Sequence, residues 1–485
     1  MKLKHLISEL SIKNKIEESF LDQTVRGIAE NSLLVEQGFV FIAVKGVVQD
    51  GHRYIQQAVE NGASFIIGEQ EGIDLPVPYI RVQDSRRALG NIAKIFYRNP
   101  IKDKLMIGIT GTNGKTTTSY LLKHIFESAG KSCAVLGTIQ NIINGEAFNT
   151  TNTTPSSLVV HQLLAESDDE VVIMEVSSHG LVQHRIEGID FDFCLFTNLH
   201  HEHLDYHGSL GSYFHAKALL FNHLKPDGQA IVSTDTLWGT KLTDILKSRG
   251  IPTLEVGEKK SSHSQQTIFH TGNSTIELVE EAILIPSPMA GIHNMYNTLM
   301  AYTTAKASGL AANGIVASLA SFKGVAGRFE VYTLPNGATV IIDYAHTPDA
   351  ILQVLSTAKQ LGAKKIVHIF GFRGNRDLSK RKEMLLVSSD LSDQYILTLD
   401  DLNSVPLEDM LGELKNLNDI FGNEKGLIVS DRTLAIKLAL EYSEPDDYVI
   451  ITGKGHETYQ QHYRIPTRSD QETVNYFSKA QTLIN

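Results

Sequence analysis

Apolar residues fall along this chain in two rhythms, short unbroken runs and runs at helical spacing, and the two alternate from end to end. Unbroken runs at 39–44, 65–67 and 79–82 predict strands in the first hundred residues. A turn is expected at 46–51. Helical spacing predicts helices over 54–61, stopped by Gly62, and over 85–97, closed by Asn99-Pro100. Further on, 105–109, 134–136, 171–174, 193–196 and 230–232 read as buried strands, and 119–129 and 213–224 as helices. The polar stretch 261–266 reads as loop, followed by helices over 294–307 and 312–320. Strands at 339–342, 365–370, 394–398 and 448–452 then resume the alternation, with helices over 348–361 and 432–442 between them. Such alternation implies an α/β fold with mostly parallel sheets covered by helices.

The run at 105–109 leads into Thr110-Gly111-Thr112-Asn113-Gly114-Lys115-Thr116-Thr117 and then straight into helical spacing. A strand, a Gly-rich turn and a helix opening at Lys-Thr make a phosphate cradle. Backbone N–H groups and the positive end of the helix dipole face the anion, Lys115 reaches the outer phosphates, and the Thr116 hydroxyl can bind magnesium. A strict P-loop has Gly where Ile109 stands, so this loop is a variant. The bland alternative is an ordinary Gly-rich turn, which the strand–turn–helix context disfavours. A bound nucleoside triphosphate is expected.

Length and charge narrow the classes. A chain of 485 residues suggests about three domains, and the pattern breaks near Asn99 and Arg328. The expected domains are therefore 1–99, 100–328 and 329–485. A net charge of -11 argues against non-specific affinity for nucleic acid or an anionic membrane. The two cysteines, Cys133 and Cys194, sit among apolar neighbours and read as small core residues, consistent with a reducing compartment. No secretory h-region and no span of ~20 apolar residues occur, so a soluble cytoplasmic protein is expected.

Polar residues cluster just after the strand runs of the middle block, where α/β sheets bind ligands. Glu175-Val176-Ser177-Ser178-His179 follows one run, and residues 197–205 (TNLHHEHLD) follow the next. A hard cation bridging phosphates needs one or two carboxylates and other ligands from such loops, which makes Glu175 and His203 candidates. Zinc is the alternative for the His-rich run, without a His-Glu-x-x-His helix or cysteine pair behind it. Taken singly, each histidine would read as a hydrogen-bonded structural residue.

Residues 110–118 (TGTNGKTTT), 175–185 (EVSSHGLVQHR), 197–208 (TNLHHEHLDYHG), 343–348 (DYAHTP) and 453–457 (GKGHE) occur in this order. Together they resemble the Mur ligase family of cytoplasmic cell-wall peptide ligases, and its MurE type in particular, along essentially the whole chain. Folylpolyglutamate synthetase shares the phosphate loop but not this set. The resemblance implies a small N-terminal α/β domain for a UDP-sugar, a central P-loop ATPase and a C-terminal Rossmann-like domain. It implies ATP-dependent amide formation: the D-glutamyl carboxylate of UDP-N-acetylmuramoyl-L-alanyl-D-glutamate is phosphorylated, and the amine of a third amino acid displaces phosphate from the acyl phosphate. A monomer is implied as well.

Carried over residue by residue, the resemblance assigns Gly111, Thr112, Asn113, Gly114, Lys115, Thr116 and Thr117 to ATP, with Asn294, Asn297, Arg328 and Asp343. It assigns Thr116, Glu175, His203 and a carbamylated Lys217 to magnesium (Mg2+), and Lys115, Glu175, His203 and Lys217 to catalysis. From sequence alone, Lys217 is a lysine on an amphipathic helix, ordinarily solvated. The bland readings of Asn294 and Arg328 are a helix N-cap and a surface ion pair. Ser32, Thr153, Thr154, Ser177, Gln183 and Arg185 match contacts to the UDP-sugar peptide, although Asn31-Ser32-Leu33 stands where Asp-Ser-Arg is usual.

Arg381, Asp400, Asp401, Asn403, Gly453 and Glu457 match the amino-acid pocket. Asp400-Asp401-Leu402-Asn403 replaces the Asp-Asn-Pro-Arg of diaminopimelate-adding members, losing the arginine that grips the distal carboxylate. A second acid suits a side-chain amine, so lysine is expected ahead of ornithine. Gly453–Glu457 has the diaminopimelate form, and a diverged paralogue with another acceptor stays open. A nucleotide-binding regulator without turnover is the alternative from another class; Lys115, Glu175, His203, Lys217 and Arg381 count against it.

Overall fold

A computed structural model describes residues 1–46, 49–257, 268–271, 275–278 and 283–482 of the chain. The chain packs as two compact units. Met1–Thr110, Phe126–Leu195 and Ala216–Ala230 form one, and Gly111–Ile125, Phe196–His215 and Ile231–Asn485 form the other.

The first unit opens with a four-stranded parallel sheet, Gly27–Ala29, Phe39–Ile42, Ala63–Gly68 and Tyr79–Arg81, side by side in chain order. Val40, Ile42, Phe65, Ile67 and Ile80 face one core with Leu89 and Ile92, whereas Phe41 and Ile66 face the other with Ala58. Alternate residues of a strand point to opposite faces, and both faces here are covered, which is why these strands read as unbroken apolar runs. Asp84 starts the helix Ser85–Phe96 by accepting the N–H groups of Arg86 and Arg87. The unit also holds strands in the order Phe191–Phe196, Leu105–Thr110, Val171–Glu175, Cys133–Leu136, then the antiparallel Asn141–Ile143 and Glu146–Phe148. Both cysteines are buried, and neither forms a disulfide.

The second unit carries a six-stranded sheet in the order Glu330–Thr333, Thr339–Asp343, Asp447–Thr452, Lys365–Phe372, Gln394–Leu399 and Gly426–Ile428. Only the Glu330–Thr333 edge is antiparallel. Ile341, Phe370 and Ile450 pack on one face with Ile351 and Leu385; Val340, Ile342, Ile369 and Ile451 pack on the other with Ile436. Short antiparallel strands Ile268–Thr271, Thr275–Leu278 and Ile283–Pro286 form a separate sheet.

One expectation changes. The helix expected over 213–224 runs as Leu210–Ala218 with a tighter 3₁₀ turn, Leu219–His223, and Leu224 already begins a strand. The Asn141–Phe148 hairpin carries no run long enough to announce it. The expected loop 261–266 lies outside the described residues. The turn at 46–51 is described only in part.

Candidate active site

The phosphate loop begins the second unit. The helix Lys115–Ser128 starts at the lysine itself. Gly111 (φ +150°) and Gly114 (φ +87°) bracket the turn, and space decides them as much as conformation. A Cβ on Gly111 would lie 1.8 Å from Thr197 Oγ1, and one on Gly114 would lie 2.3 Å from Asn297 Oδ1. The loop is framed by the segment after the Phe191–Phe196 strand. Asn113 N–H donates to Asn198 Oδ1 (2.9 Å), Thr112 N–H to Asn198 O (3.0 Å), and the Thr197 hydroxyl to Asn113 O (2.6 Å). Lys115 Nζ donates to the carbonyls of Gly111 (2.7 Å) and Thr112 (3.0 Å), so the ammonium lies over the concave side of the turn.

Further groups converge on this loop. Arg328 Nη2 donates to Thr116 Oγ1 at 3.3 Å, where sequence alone suggested a surface ion pair. Asn294 and Asn297 are buried within the helix Ile292–Ala307, which is capped at Gly291, so Asn294 is not the N-cap. Asn297 Nδ2 donates to Asn294 Oδ1 (3.3 Å), and Asn297 Oδ1 accepts the Thr118 hydroxyl at 3.5 Å. Buried Asp343 accepts the N–H groups of Phe329 and Ala345, both at 2.7 Å; burial raises its carboxyl above the ordinary value despite Arg328 nearby. Thr117 is buried on the helix Lys115–Ser128.

His203 holds a left-handed backbone (φ +56°) and opens the short helix Leu204–His207. Its neighbour Glu202, absent from the sequence-derived candidates, is a hub. Glu202 Oε1 accepts from His346 Nε2 at 2.7 Å and lies 3.9 Å from Lys380 Nζ, while Oε2 lies 3.7 Å from His203 Nε2. Burial alone would raise this carboxyl, but His203, His346 and Lys380 together hold it well below the carboxylate range.

Past the six-stranded sheet lies the second cluster. Arg373, also missed, binds Glu457, donates to Gly453 O (3.0 Å) and approaches Asp400 Oδ2 at 3.6 Å. Lys454 is buried and donates to Asp401 Oδ1 at 2.6 Å. Burial acts against both acids. Arg373 and Lys454 nevertheless bring Asp400 down to about 2, whereas Asp401 stays above its ordinary value. Arg381 is buried, pairs with Glu413 and donates to Arg373 O at 2.7 Å. Asn403 (φ +46°) donates to Gly374 O at 3.0 Å.

In the first unit, a cavity of about 840 Å³ is lined by Ser32, Gln183 and Arg185 together with Glu30, Leu33 and Arg86. Arg185 is oriented by the Thr154 carbonyl (2.7 Å) and Gln183 Oε1 (2.9 Å), and the Ser32 hydroxyl donates to Gln57 Oε1 (2.7 Å). Ser177 caps the helix Ser178–Val182. Glu175 is fully buried at its strand end and accepts Thr138 N–H (3.2 Å) and the Thr138 hydroxyl (2.8 Å), which also contacts Thr153 Oγ1 at 3.1 Å. Lys217 is 1% exposed, which corrects the expectation of a solvated side chain. Three other residues of the helix Leu210–Ala218, Tyr213, Phe214 and Ala216, are buried, so this helix offers core to more than one face.

Comparison with known proteins fits this architecture. Residues 24–97 match the Mur ligase family catalytic domain, 109–305 the Mur ligase middle domain, and 327–455 the Mur ligase glutamate ligase domain. Curated relatives include the UDP-N-acetylmuramoyl-L-alanyl-D-glutamate–2,6-diaminopimelate ligases of Halalkalibacterium halodurans and Bacillus velezensis. Each is 36% identical over 95% of both chains. A solved ligase of the same name superimposes with a TM-score of 0.70 at 28% identity over 99% of each chain. MurF from Thermotoga maritima, solved with ADP, shares the fold (TM-score 0.66, 19% identity, 95% of this chain and 99% of that one). The chain belongs to the Mur ligase family, and within it to the MurE type of ATP-dependent amide ligases.

Proposed function

We propose that this protein adds the third amino acid to UDP-N-acetylmuramoyl-L-alanyl-D-glutamate in peptidoglycan synthesis, acting as a cytoplasmic monomer. One observation carries the reading. Within a single unit, the phosphate loop meets Arg328, and Glu202, four residues past the loop's partner Asn198, meets His346 and Lys380 of the segments that carry the amino-acid motifs. A carboxylate oxygen attacks the γ-phosphorus and ADP leaves; the incoming amine then attacks the acyl carbon, and phosphate leaves with the carbon–oxygen bond. Two polyanions must be brought together for this, so positioning and charge neutralisation carry the catalysis.

The domain roles follow the same reading: 1–99 for the UDP-sugar, 100–328 for ATP, 329–485 for the amino acid. Lys115 serves the outer phosphates, and Ser32, Thr153, Thr154, Ser177, Gln183 and Arg185 serve the UDP-sugar peptide. Thr116, Glu175, His203 and carbamylated Lys217 are assigned to magnesium on their motifs; the hydroxyl, carboxylate and carbamate oxygens suit that ion, and His203 would add an imidazole nitrogen. Magnesium would supply charge neutralisation at the phosphates. Among the described residues no three His, Cys, Asp or Glu side chains gather as a cage, so the ion would draw its other ligands from phosphate and water. Among them too, no helix is long and apolar enough to cross a membrane.

The identity of the amino acid is where the lysine expectation gives way. The curated relatives are named for 2,6-diaminopimelate. Asp401, the extra acid invoked for a side-chain amine, is already neutralised by Lys454 at 2.6 Å. Diaminopimelate is therefore the favoured third residue. Asn403 in place of the usual arginine keeps a second reading, a paralogue with another amino acid or acceptor. Phosphate release measured with the UDP-muramoyl dipeptide across an amino-acid panel separates them. Preference for meso-diaminopimelate supports the first reading, preference for L-lysine overturns the choice of amino acid, and silence with every amino acid supports the paralogue.

A further inference from the structure

Between the phosphate loop and the amino-acid cluster stands Tyr344, which meets the loop's partner Arg328 on one side and Glu457 and Arg373 on the other. The Arg328 guanidinium, whose Nη2 donates to Thr116 Oγ1 at 3.3 Å, lies over the Tyr344 ring at 4.2 Å from its centroid. On the other side, the Tyr344 hydroxyl donates to Glu457 Oε1 at 3.0 Å and accepts from Arg373 Nη1 at 3.4 Å. Arg373 holds Glu457 and the Gly453 carbonyl and approaches Asp400, all in the amino-acid cluster. Its guanidinium also lies 5.3 Å from the Tyr344 centroid, so two cations lie against the ring.

Each link has a physical sense. A guanidinium over a phenol face is attracted by the ring quadrupole, about 0.5–2 kcal/mol depending on desolvation. The hydroxyl's bond to a carboxylate is charge-assisted and fixes which way Glu457 points. Burial pushes the Tyr344 phenol up to about 12, so it remains a donor at neutral pH. Backbone packing leaves little slack: a Cβ on Gly455 would lie 2.9 Å from Tyr344 Cβ and 2.7 Å from Gly327 O. A nucleotide that draws Arg328 towards its phosphates changes the load on one face of the ring, and the hydroxyl on the ring's edge reads that change out at Glu457.

We propose that Tyr344 is a positioning residue that couples nucleotide bound at the Thr116–Arg328 end to amino-acid binding at the Glu457–Arg373 end. The inference rests on the amino-acid ligase reading above and names the residue through which its two sites communicate. Coupling between sites is reciprocal in binding free energy, so it is measurable from either side.

The test compares wild type with Tyr344→Phe, which keeps the ring and its cation contacts and removes only the hydroxyl. Amino-acid KM is expected to rise about tenfold while ATP KM stays within twofold and the melting temperature is unchanged. Calorimetric amino-acid affinity, taken with and without a non-hydrolysable ATP analogue, should show tightening by the analogue in wild type and its loss in Tyr344→Phe. Glu457→Gln should reproduce the KM effect, and the double variant should be no worse than either single one. An active wild type with an unchanged Tyr344→Phe, or with additive effects in the double variant, overturns the inference alone. A wild type inert with every amino acid overturns the reading that it adds the third residue to the UDP-muramoyl dipeptide, and the inference with it.

Discussion

Gly114 shows what a single position can decide. Its φ of +87° costs a side-chain-bearing residue roughly 1–2 kcal/mol, and an added Cβ would also drive into Asn297 Oδ1 at 2.3 Å. Gly130 shares the backbone conformation (φ +80°) but has no heavy atom within 4 Å of an added Cβ. Gly114→Ala should therefore weaken ATP binding at least about tenfold by calorimetry, while Gly130→Ala leaves it unchanged. Equal effects in the two variants would mean that backbone strain alone is responsible and the contact with Asn297 is idle. The glycines were legible as a motif; Asn297 as the reason for one of them was not, because it arrives from a helix well over a hundred residues away.

At the scale of elements, the C-terminal helix Asp470–Thr482 is tied down by a charge rather than by apolar area alone. Arg432 and Asp470 are both fully buried, joined at 2.7 Å through Nε and again through Nη2, and Arg432 Nη2 also donates to Thr452 O at 2.9 Å. Removing one partner strands the other charge in the interior, a loss of about 3–5 kcal/mol. Asp470→Ala should lower the urea midpoint by that equivalent, and Arg432→Met with Asp470→Leu should recover most of it. A single variant as stable as wild type would show that water reaches the pair. The helix Arg432–Glu441 was visible in the apolar spacing; its partner helix was not, since its spacing is broken by polar residues that make this network.

Over the whole molecule, acid should act chiefly through groups whose folded state resists protonation. His368 is fully buried in the Lys365–Phe372 strand, with Ser388 Oγ at 2.8 Å and Thr452 Oγ1 at 2.9 Å on its two nitrogens, and burial lowers it to about 3. Because the folded value lies below the ordinary 6.5, its contribution is complete above pH 6.5 and drains away as pH falls towards 3. Between pH 6.5 and 5 that amounts to about 2 kcal/mol. Asp400 and Glu202, also lowered, lose their contributions only as pH falls below their ordinary values, whereas buried Asp343, raised, acts with the opposite sign and above its ordinary value. Urea unfolding at pH 7 and pH 5 should show the wild type losing stability over this interval and His368→Asn, weaker at pH 7, losing less. Parallel losses in both would remove His368 from the account.

The α/β class, the phosphate loop and the family were all readable along the chain, because they rest on local apolar runs and on motifs whose residues are contiguous. Both cysteines and most strands were readable too, since a strand covered on two faces leaves an unbroken apolar trace. Only the tertiary structure decided which charges were already spoken for. Asp401 read as an open acid for an incoming amine until Lys454 stood beside it, Lys217 read as solvated until its side chain was found buried, Glu202 and Tyr344 sat inside motifs with no role of their own, and Arg373 carried no signal. The reason is physical: the energy of a buried charge or phenol is set by partners that come together only on folding, and no local pattern records which partners those are.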